Sequence, residues 1–205
     1  MSEQELFVVS APSGTGKTTL IRELLVRSPG LKFSVSFTTR PIRQGERDGI
    51  DYHFVDEAQF DAMVASNELL EWARVHGQRY GTGVRQVEET LAEGSDLLLD
   101  VDTQGARSVR SLRPESVFIF IMPPDFRTLE ERLLGRGGAS PEEVRRRIGN
   151  AREEMERYVE YDYVVINDSL PEALGSLEAI VLSRRRRRPR MEAHCRKVME
   201  TFRSH

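Results

Sequence analysis

The sequence has a single cysteine, a single tryptophan and no hydrophobic run long enough to cross a membrane. Because a disulfide needs two cysteines, Cys195 excludes an internal disulfide, and low cysteine use is typical of cytoplasmic proteins. The longest aliphatic runs, such as residues 117–122, are far shorter than the ~20 residues of a transmembrane helix. The first residues, MSEQELFVV, lack the three regions of a signal peptide. These absences predict a cytoplasmic globular protein with no membrane partner.

Charge is distributed unevenly along the chain, although the net charge is only −3 over 205 residues. Residues 184–205 contain nine Lys/Arg and two Glu, whereas the other 183 residues contain 21 basic and 31 acidic side chains. No Cys/His cluster has the spacing of a metal site, and no internal repeat is present. The length allows one domain with appendages or two small ones, and the basic tail needs a separate explanation.

The strongest local pattern is LFVVSAPSGTGKTTL, residues 6–20. An aliphatic strand is followed by a loop of small residues, and then by Leu20, Ile21 and Leu24 at helical spacing. This arrangement is typical of a phosphate-binding P-loop, in which backbone amides and a helix N-terminus surround a polyphosphate. The candidate phosphate-binding residues of the loop are Ala11, Pro12, Ser13, Gly14, Thr15, Gly16, Lys17, Thr18 and Thr19.

Within that loop, Lys17 is expected to reach the β- and γ-phosphates, and the Thr18 hydroxyl to hold Mg²⁺. Ala11 occupies the first motif position, where the pattern has glycine, and a methyl group is tolerable there if φ is negative. The alternative interpretation is an ordinary glycine turn between a strand and a helix.

Strands alternate with helices along most of the chain, which predicts an α/β fold with a parallel sheet flanked by helices in three layers. Residues 33–83 break the alternation with short strands and turns, which indicates an inserted α+β lobe. A strand over residues 96–102 ends in Asp100 and Asp102, and ligands of such sheets bind at the carboxyl ends of strands. We therefore expect these acids beside the P-loop.

Two further groups of polar residues are candidates for binding a second ligand, one group for an anion and the other for a nucleobase. Arg40 and Arg43 can form a forked anion site, or belong to a solvated surface loop. Glu71, on a strand over residues 69–72, can face water at a sheet edge. It can also accept from the adjacent N1–H and N2–H₂ donors of guanine, while the Ser36 and Thr82 hydroxyls donate to O6.

Three stretches resemble the guanylate kinase family in order and spacing, in addition to the P-loop. They are SFTTRPIRQGERDGIDYHFV, LLEWARVHGQRYGT and LLLDVDTQGARSVR, and the resemblance covers roughly residues 5–182. It implies a P-loop core, a GMP-binding lobe and a mobile helical lid, with ATP and GMP as substrates and Mg²⁺ as cofactor. The implied ranges are 1–32, 84–125 and 160–183 for the core, 33–83 for the lobe, 126–159 for the lid and 184–205 for the tail.

The resemblance also implies roles for single residues. The GMP phosphate would be held by Arg40, Arg43, Tyr52 and Tyr80, and the guanine by Ser36, Glu71, Thr82 and Asp102. Asp100 would place the Mg²⁺ shell through water, and Asn167 lies where the family contacts adenine. The lid arginines would be Arg132, Arg136 and Arg147, whereas Arg145 and Arg146 are expected to be surface residues. We assign no chemistry to His53 and His76.

Two rival functions are compatible with parts of this pattern. Guanylate kinase-like domains also occur as non-catalytic protein-interaction modules, but those typically have degraded P-loops, and this chain retains Gly16, Lys17 and Thr18. A P-loop kinase for another nucleotide is disfavoured by Glu71 and the TTR segment.

The basic tail lies beyond the resemblance. Met191, Cys195, Val198 and Phe202 recur at helical spacing, which predicts an amphipathic helix. We expect this helix to dock on the acidic body. The alternative is a nucleic-acid patch or an electrostatic funnel for nucleotides, which lacks the interleaved aromatics of a stacking platform. The sequence does not predict an oligomeric state.

Overall fold

The structure, a computed structural model, describes residues 4–75, 77–135 and 141–203. The strands are β1 (Leu6–Ser10), β2 (Leu31–Phe33), β3 (Phe37–Thr38), β4 (His53–Phe54), β5 (Leu69–Val75), β6 (Gln78–Gly83), β7 (Asp96–Asp100), β8 (Val117–Met122) and β9 (Tyr163–Ile166). The helices are α1 (Lys17–Arg27), α2 (Glu57–Ala65), α3 (Val84–Ala92), α4 (Thr103–Leu112), α5 (Phe126–Leu134), α6 (Pro141–Met155), α7 (Leu170–Arg185) and α8 (Arg188–Arg203). A short 3-10 helix, Glu156–Glu160, follows α6.

The larger sheet is parallel throughout and has the strand order β2-β7-β1-β8-β9. Its strands are apolar runs because both faces are covered. On one face Phe7, Leu98 and Ile119 pack in a cluster with side chains of α1 and α7. On the other, Val8 and Leu97 pack with side chains of α3 and α4. The predicted α/β architecture with helices on both faces is confirmed.

The second sheet is small and mixed, with the order β4-β3-β6-β5. β6 pairs antiparallel with both β3 and β5, whereas β3 and β4 are parallel. All four strands lie within the stretch of short strands and turns at residues 33–83. The change from one sheet to the other falls between Phe33 and Phe37, since β2 joins the large sheet and β3 joins the small one.

The predicted strand over residues 96–102 is also shorter than expected. β7 ends at Asp100, and Asp102 has left the sheet to cap α4, where its carboxylate accepts a hydrogen bond from the Gly105 amide at 2.8 Å. An aspartate at this position stabilises the helix start, so capping ends the strand early. Both acids nevertheless stay at the carboxyl edge of the parallel sheet.

α5 and α6 form a third small cluster around Leu129, Leu133 and Ala151. Leu133 and Leu129 also pack against the P-loop, because a Cβ built on Gly14 would lie 2.9 Å from Leu133 and 3.2 Å from Leu129. α5 therefore contacts the core directly. Gly135, which follows α5, is the last described residue before the gap at residues 136–140.

The basic tail begins inside α7 and continues into α8. Asp96, only 2% exposed, accepts from Arg185 at 2.7 Å and from Arg190 at 2.8 Å, and Arg184 pairs with Glu5 at 3.0 Å. No α8 residue is buried, and Phe202 is 73% exposed. The predicted helix is present, and Arg190 near its start contacts the body, whereas Val198 and Phe202 of its apolar stripe are exposed.

Among the described residues, no helix combines the length and the apolar character that spanning a membrane would require.

Candidate functional site

The P-loop connects β1 to α1 at the carboxyl edge of the parallel sheet. Gly16 is the N-cap of α1, with φ of 88° and no side-chain cap, so the first amides of the helix are left for another acceptor. Gly14 also has positive φ, of 91°. Ala11 does not, since Asn67 is the only non-glycine with positive φ in the described part of the chain. This meets the condition under which a methyl group fits at the first motif position.

Lys17 and Asp100 form an ion pair at the floor of a cleft that separates the two sheets. Thr18 is exposed beside them, whereas Pro12, Gly14 and Thr15 are buried and Ala11, Ser13 and Gly16 are partly covered. Thr19 lies on the exposed side of α1, with its amide on the Gly16 carbonyl. The cleft is also lined by Phe33, Ser36, Asp51, Tyr52, Glu71, Ala73, Val75, Tyr80, Val101 and Asp102.

Arg40 and Arg43 line a second pocket, which adjoins this cleft and shares Tyr52, Tyr80 and Asp100 with it. Arg40 is 8% exposed, donates to Glu46 at 2.7 Å and lies over the Tyr52 ring at 5.2 Å. The hydrogen bond raises the pKa of Arg40 and lowers the pKa of Glu46. Arg43 is exposed, and its amide donates to the same Glu46 at 2.8 Å. Both arginines line a shared pocket with Tyr52, Tyr80, Thr18 and Asp100.

Tyr52 and Tyr80 meet edge to face, with ring centroids 5.8 Å apart. Burial, followed by the charge of Asp100, raises the pKa of Tyr52 to about 12. The tyrosine therefore keeps its proton at neutral pH and can donate a hydrogen bond to an anion held by the arginines.

Glu71 is 6% exposed at the far end of the cleft. Its Oε1 accepts from the Thr82 hydroxyl at 2.6 Å, and its Oε2 lies 2.6 Å from where a Cβ on Gly105 would stand. Glycine at 105 thus leaves room for the carboxylate beside the start of α4. Burial is the main cause that raises the pKa of Glu71 to about 7, and the charge of Asp102 adds to it. A buried carboxylate that lines a cleft can accept from paired N–H donors.

The lid residues are brought together only in part. Arg132 on α5 donates to the Thr15 carbonyl at 3.3 Å and to the Asn167 carbonyl at 3.2 Å. Arg147 is half-buried on α6, whereas Arg145 and Arg146 are exposed, as expected. Arg136 lies outside the described residues.

Sequence reasoning missed two acids near the site. Glu46 accepts a hydrogen bond from Arg40. Its position within the stretch SFTTRPIRQGERDGIDYHFV could have indicated that it lies near the site. Glu154 lies two turns after Arg147 on α6 and is half-buried. Burial raises its pKa to about 7, while the charge of Lys17 opposes that rise. Its sequence neighbourhood is rich in Glu and Arg, which conceals a half-buried acid whose pKa is affected by the P-loop lysine.

Comparison with known proteins gives concordant results. A protein-family model described as Guanylate kinase matches residues 3–184, ending before α8. Guanylate kinase of Syntrophotalea carbinolica is 47% identical over 195 residues, covering 95% of this chain and 93% of the relative. Guanylate kinase of Dechloromonas aromatica is 50% identical over 176 residues, covering 86% and 87%.

Among solved structures, a crystal structure of guanylate kinase from Anaplasma phagocytophilum superposes with a TM-score of 0.75 at 30% identity. It covers 93% of this chain and 90% of its own.

Proposed function

The chain belongs to the guanylate kinase family and transfers the γ-phosphoryl group of ATP to GMP, and from this premise we propose which residues hold each substrate. The P-loop would bind the ATP phosphates through the backbone N–H groups of residues 11–19 other than Pro12, which has none, with Lys17 at the β- and γ-phosphates. The ion pair between Lys17 and Asp100 supports this, because it keeps the ammonium at the floor of the cleft. The adenine would lie beside the loop that carries Asn167.

Mg²⁺ fits the oxygen ligands at the P-loop side of the cleft. In the described ranges, Asp, Glu, His and Cys side chains form no cluster that could hold a metal by itself. Mg²⁺ usually takes few protein ligands and shares the rest with substrate phosphates and water. The Thr18 hydroxyl and Asp100, the latter through water, are the groups we propose for it. When bound, the ion would neutralise charge on the transferring group.

GMP would occupy the side of the cleft formed by the small sheet. Arg40 and Arg43, with Tyr52 and Tyr80, would hold its phosphate, a role consistent with their convergence on one pocket. The guanine would lie at the other end, against Glu71. The further guanine contacts we propose are Ser36, Thr82 and Asp102.

The protein contributes to phosphoryl transfer by aligning the two substrates and by neutralising negative charge. The transition state is loose and places that charge on the equatorial oxygens. No protein base is needed, since the attacking GMP phosphate is already anionic. Lys17 and the lid arginines Arg132 and Arg147 would face the transferring group, and the family resemblance gives the same role to Arg136, which lies outside the described residues. Closure of the lid over both substrates would exclude water and prevent ATP hydrolysis.

The observation that carries the guanine assignment is the buried Glu71 carboxylate. An ionisable group that is 6% exposed, with a hydroxyl partner on only one of its oxygens, is costly unless a ligand uses the other. Guanine offers N1–H and N2–H₂ as adjacent donors on one edge, which a carboxylate accepts together.

Replacing Glu71 with Gln tests this assignment with GMP and inosine monophosphate as paired substrates. Gln retains one acceptor oxygen and sets an amide donor against a donor of guanine. We expect kcat/KM for GMP to fall by about 10²–10⁴. Inosine monophosphate lacks the N2 amine, so its kcat/KM should fall much less.

The matched control is Glu68→Gln, the same chemical change on an exposed side chain just before β5. It should leave the ratio between the two nucleotides unchanged. Equal losses for both nucleotides in Glu71→Gln would show that Glu71 does not read the N2 edge.

A further inference from the structure

The side chain of Asn167 is directed at the P-loop. Asn167 directly follows β9, and its amide donates to the Met122 carbonyl at 2.7 Å, which extends the pairing of β9 with β8. Its side-chain Nδ2 donates to the Thr15 carbonyl at 2.5 Å, and the residue is 6% exposed. The rigid parallel sheet therefore holds a donor against the phosphate-binding loop.

The bond to Thr15 fixes more than one carbonyl. The Thr15 C=O and the Gly16 N–H belong to the same planar peptide unit and point in opposite directions. Holding the oxygen toward Asn167 therefore aims the Gly16 N–H to the opposite side of that peptide.

Glycine alone would not fix this orientation, since it accepts positive and negative φ about equally. Gly16 has φ of 88°, and a Cβ placed on it would lie 2.7 Å from the Asn167 Nδ2. A flip of the Thr15–Gly16 peptide would turn the carbonyl oxygen toward bound phosphates, where it repels them. Arg132 adds a second donor to the same oxygen at 3.3 Å, so both donors oppose the flip.

We propose that Asn167 is a positioning residue for phosphate binding, acting through the Thr15–Gly16 peptide and not on the adenine base. The proposal rests on the ATP-binding role of the P-loop and specifies what this side chain contributes to it. The side-chain amide acts as a brace that orients the Thr15–Gly16 peptide before the nucleotide binds. It should therefore strengthen binding of the phosphates equally, whichever base is attached to them.

Inorganic tripolyphosphate with Mg²⁺ is the probe, because it has phosphates and no base. Calorimetric titration of the full chain should show that Asn167→Asp and Asn167→Ala weaken its binding by about 10- to 100-fold, because the buried Thr15 carbonyl keeps only the longer hydrogen bond from Arg132. KM for ATP should rise by a similar factor. The ratio of kcat/KM for ATP over GTP, and the Kd for GMP, should stay as in the wild type.

Asn167→Asp adds a negative charge, which by itself repels phosphates. Ser169→Asp is the matched control, because it adds the same charge two residues away and keeps a good cap for α7. It should weaken tripolyphosphate binding by less than about threefold. A loss as large as that of Asn167→Asp, with none in Asn167→Ala, would assign the effect to charge and overturn the proposal.

Two other outcomes are equally decisive. Unchanged tripolyphosphate binding in both Asn167 variants, with an altered ATP-to-GTP ratio, would make the amide a base reader and overturn the brace. If the wild-type chain binds neither tripolyphosphate nor ATP, the P-loop assignment itself fails. Retained GMP binding in each variant shows that the protein is folded.

Discussion

The two sheets are stabilised by different kinds of side chain. In the parallel sheet the buried side chains are almost all apolar, and Phe7, Val8 and Leu98 are completely inaccessible. In the described part of residues 33–83 the buried hydrophobics are Phe60, Leu70 and Ala73. Buried polar residues outnumber them there, namely Ser34, Thr38, Arg40, Glu71, Arg79 and Thr82. The small sheet is therefore held together partly by groups that can also bind a polar substrate.

Arg79 occupies the place that an apolar residue would have in an ordinary core. It is 5% exposed, stacks on Phe60 at 4.6 Å and pairs with Glu57 and Asp61 on α2. Its carbonyl also accepts from the Thr38 hydroxyl at 2.9 Å. The Arg79 guanidinium thus joins β6 to α2, and its backbone carbonyl joins β6 to Thr38 of β3. Charge interactions of this kind respond to pH and salt, which apolar packing does not.

The largest effect is expected in the parallel sheet. Leu98→Ala should lower the free energy of unfolding by about 2–5 kcal/mol, because the closely packed sheet cannot fill the space that the side chain leaves. Urea unfolding followed by circular dichroism measures this loss. Leu112→Ala is the control, since that side chain is 63% exposed and should cost under about 0.5 kcal/mol. Similar losses in the two variants would contradict the apolar account of this sheet.

A smaller and local effect is expected from Arg79→Met, which retains volume and removes charge. Glu57 and Asp61 are 58% and 72% exposed and remain solvated, so the cost should be about 1–2 kcal/mol. Amide hydrogen exchange should accelerate in β3, β5, β6 and α2. GMP affinity should weaken while ATP affinity stays unchanged. Equal acceleration of exchange in β1 and β7 would show that the two sheets unfold together as one cooperative unit.

The titration of Glu71 should make the stability of the small sheet and the affinity for GMP depend on pH. Burial raises the pKa of Glu71 to about 7, so the folded protein takes up a proton that the unfolded chain binds only near its ordinary value of 4.5. Stability of the small sheet should therefore rise as pH falls from about 7 toward 4.5. GMP affinity should fall by about tenfold per unit below pH 7, because the carboxylate form accepts from guanine.

The control for that titration is Glu71→Gln measured over the same pH range. The phosphate of GMP titrates in both proteins, so the difference between the two curves belongs to Glu71. A wild-type curve parallel to that of the variant would contradict the raised pKa.

The smallest effect should follow truncation after residue 187, which removes α8 and retains Arg184 and Arg185. Since α8 buries no residue, the loss should be about 1 kcal/mol and come from the contact of Arg190 with Asp96. kcat/KM for GMP should stay within about fivefold of wild type. Arg190→Met in the full chain should reproduce the loss. A much greater loss on truncation would mean that the apolar stripe of α8 is covered in solution.

Sequence patterns predicted the parallel sheet and P-loop because both depend on short-range order. Apolar runs and a glycine-lysine loop carry that information within about fifteen residues. The burial of Arg79 and of Glu154 was not predicted, since it depends on segments distant in the sequence, and a charged residue in a polar stretch resembles a surface residue. Asp102 was placed in a strand because nothing local distinguishes a strand-end acid from a helix cap.

The position of β1 at the centre of the large sheet has a consequence for synthesis on the ribosome. β1 is made first, but its neighbours are β7 and β8, which end at Asp100 and Met122. Phe7, Val8 and Val9 therefore emerge with no strand to pair with, whereas the small sheet has all its strands by Gly83. We expect the small sheet to form while β1 is still unpaired. The growing chain then exposes an apolar strand until residue 100 has left the ribosome, which makes it a substrate for chaperones.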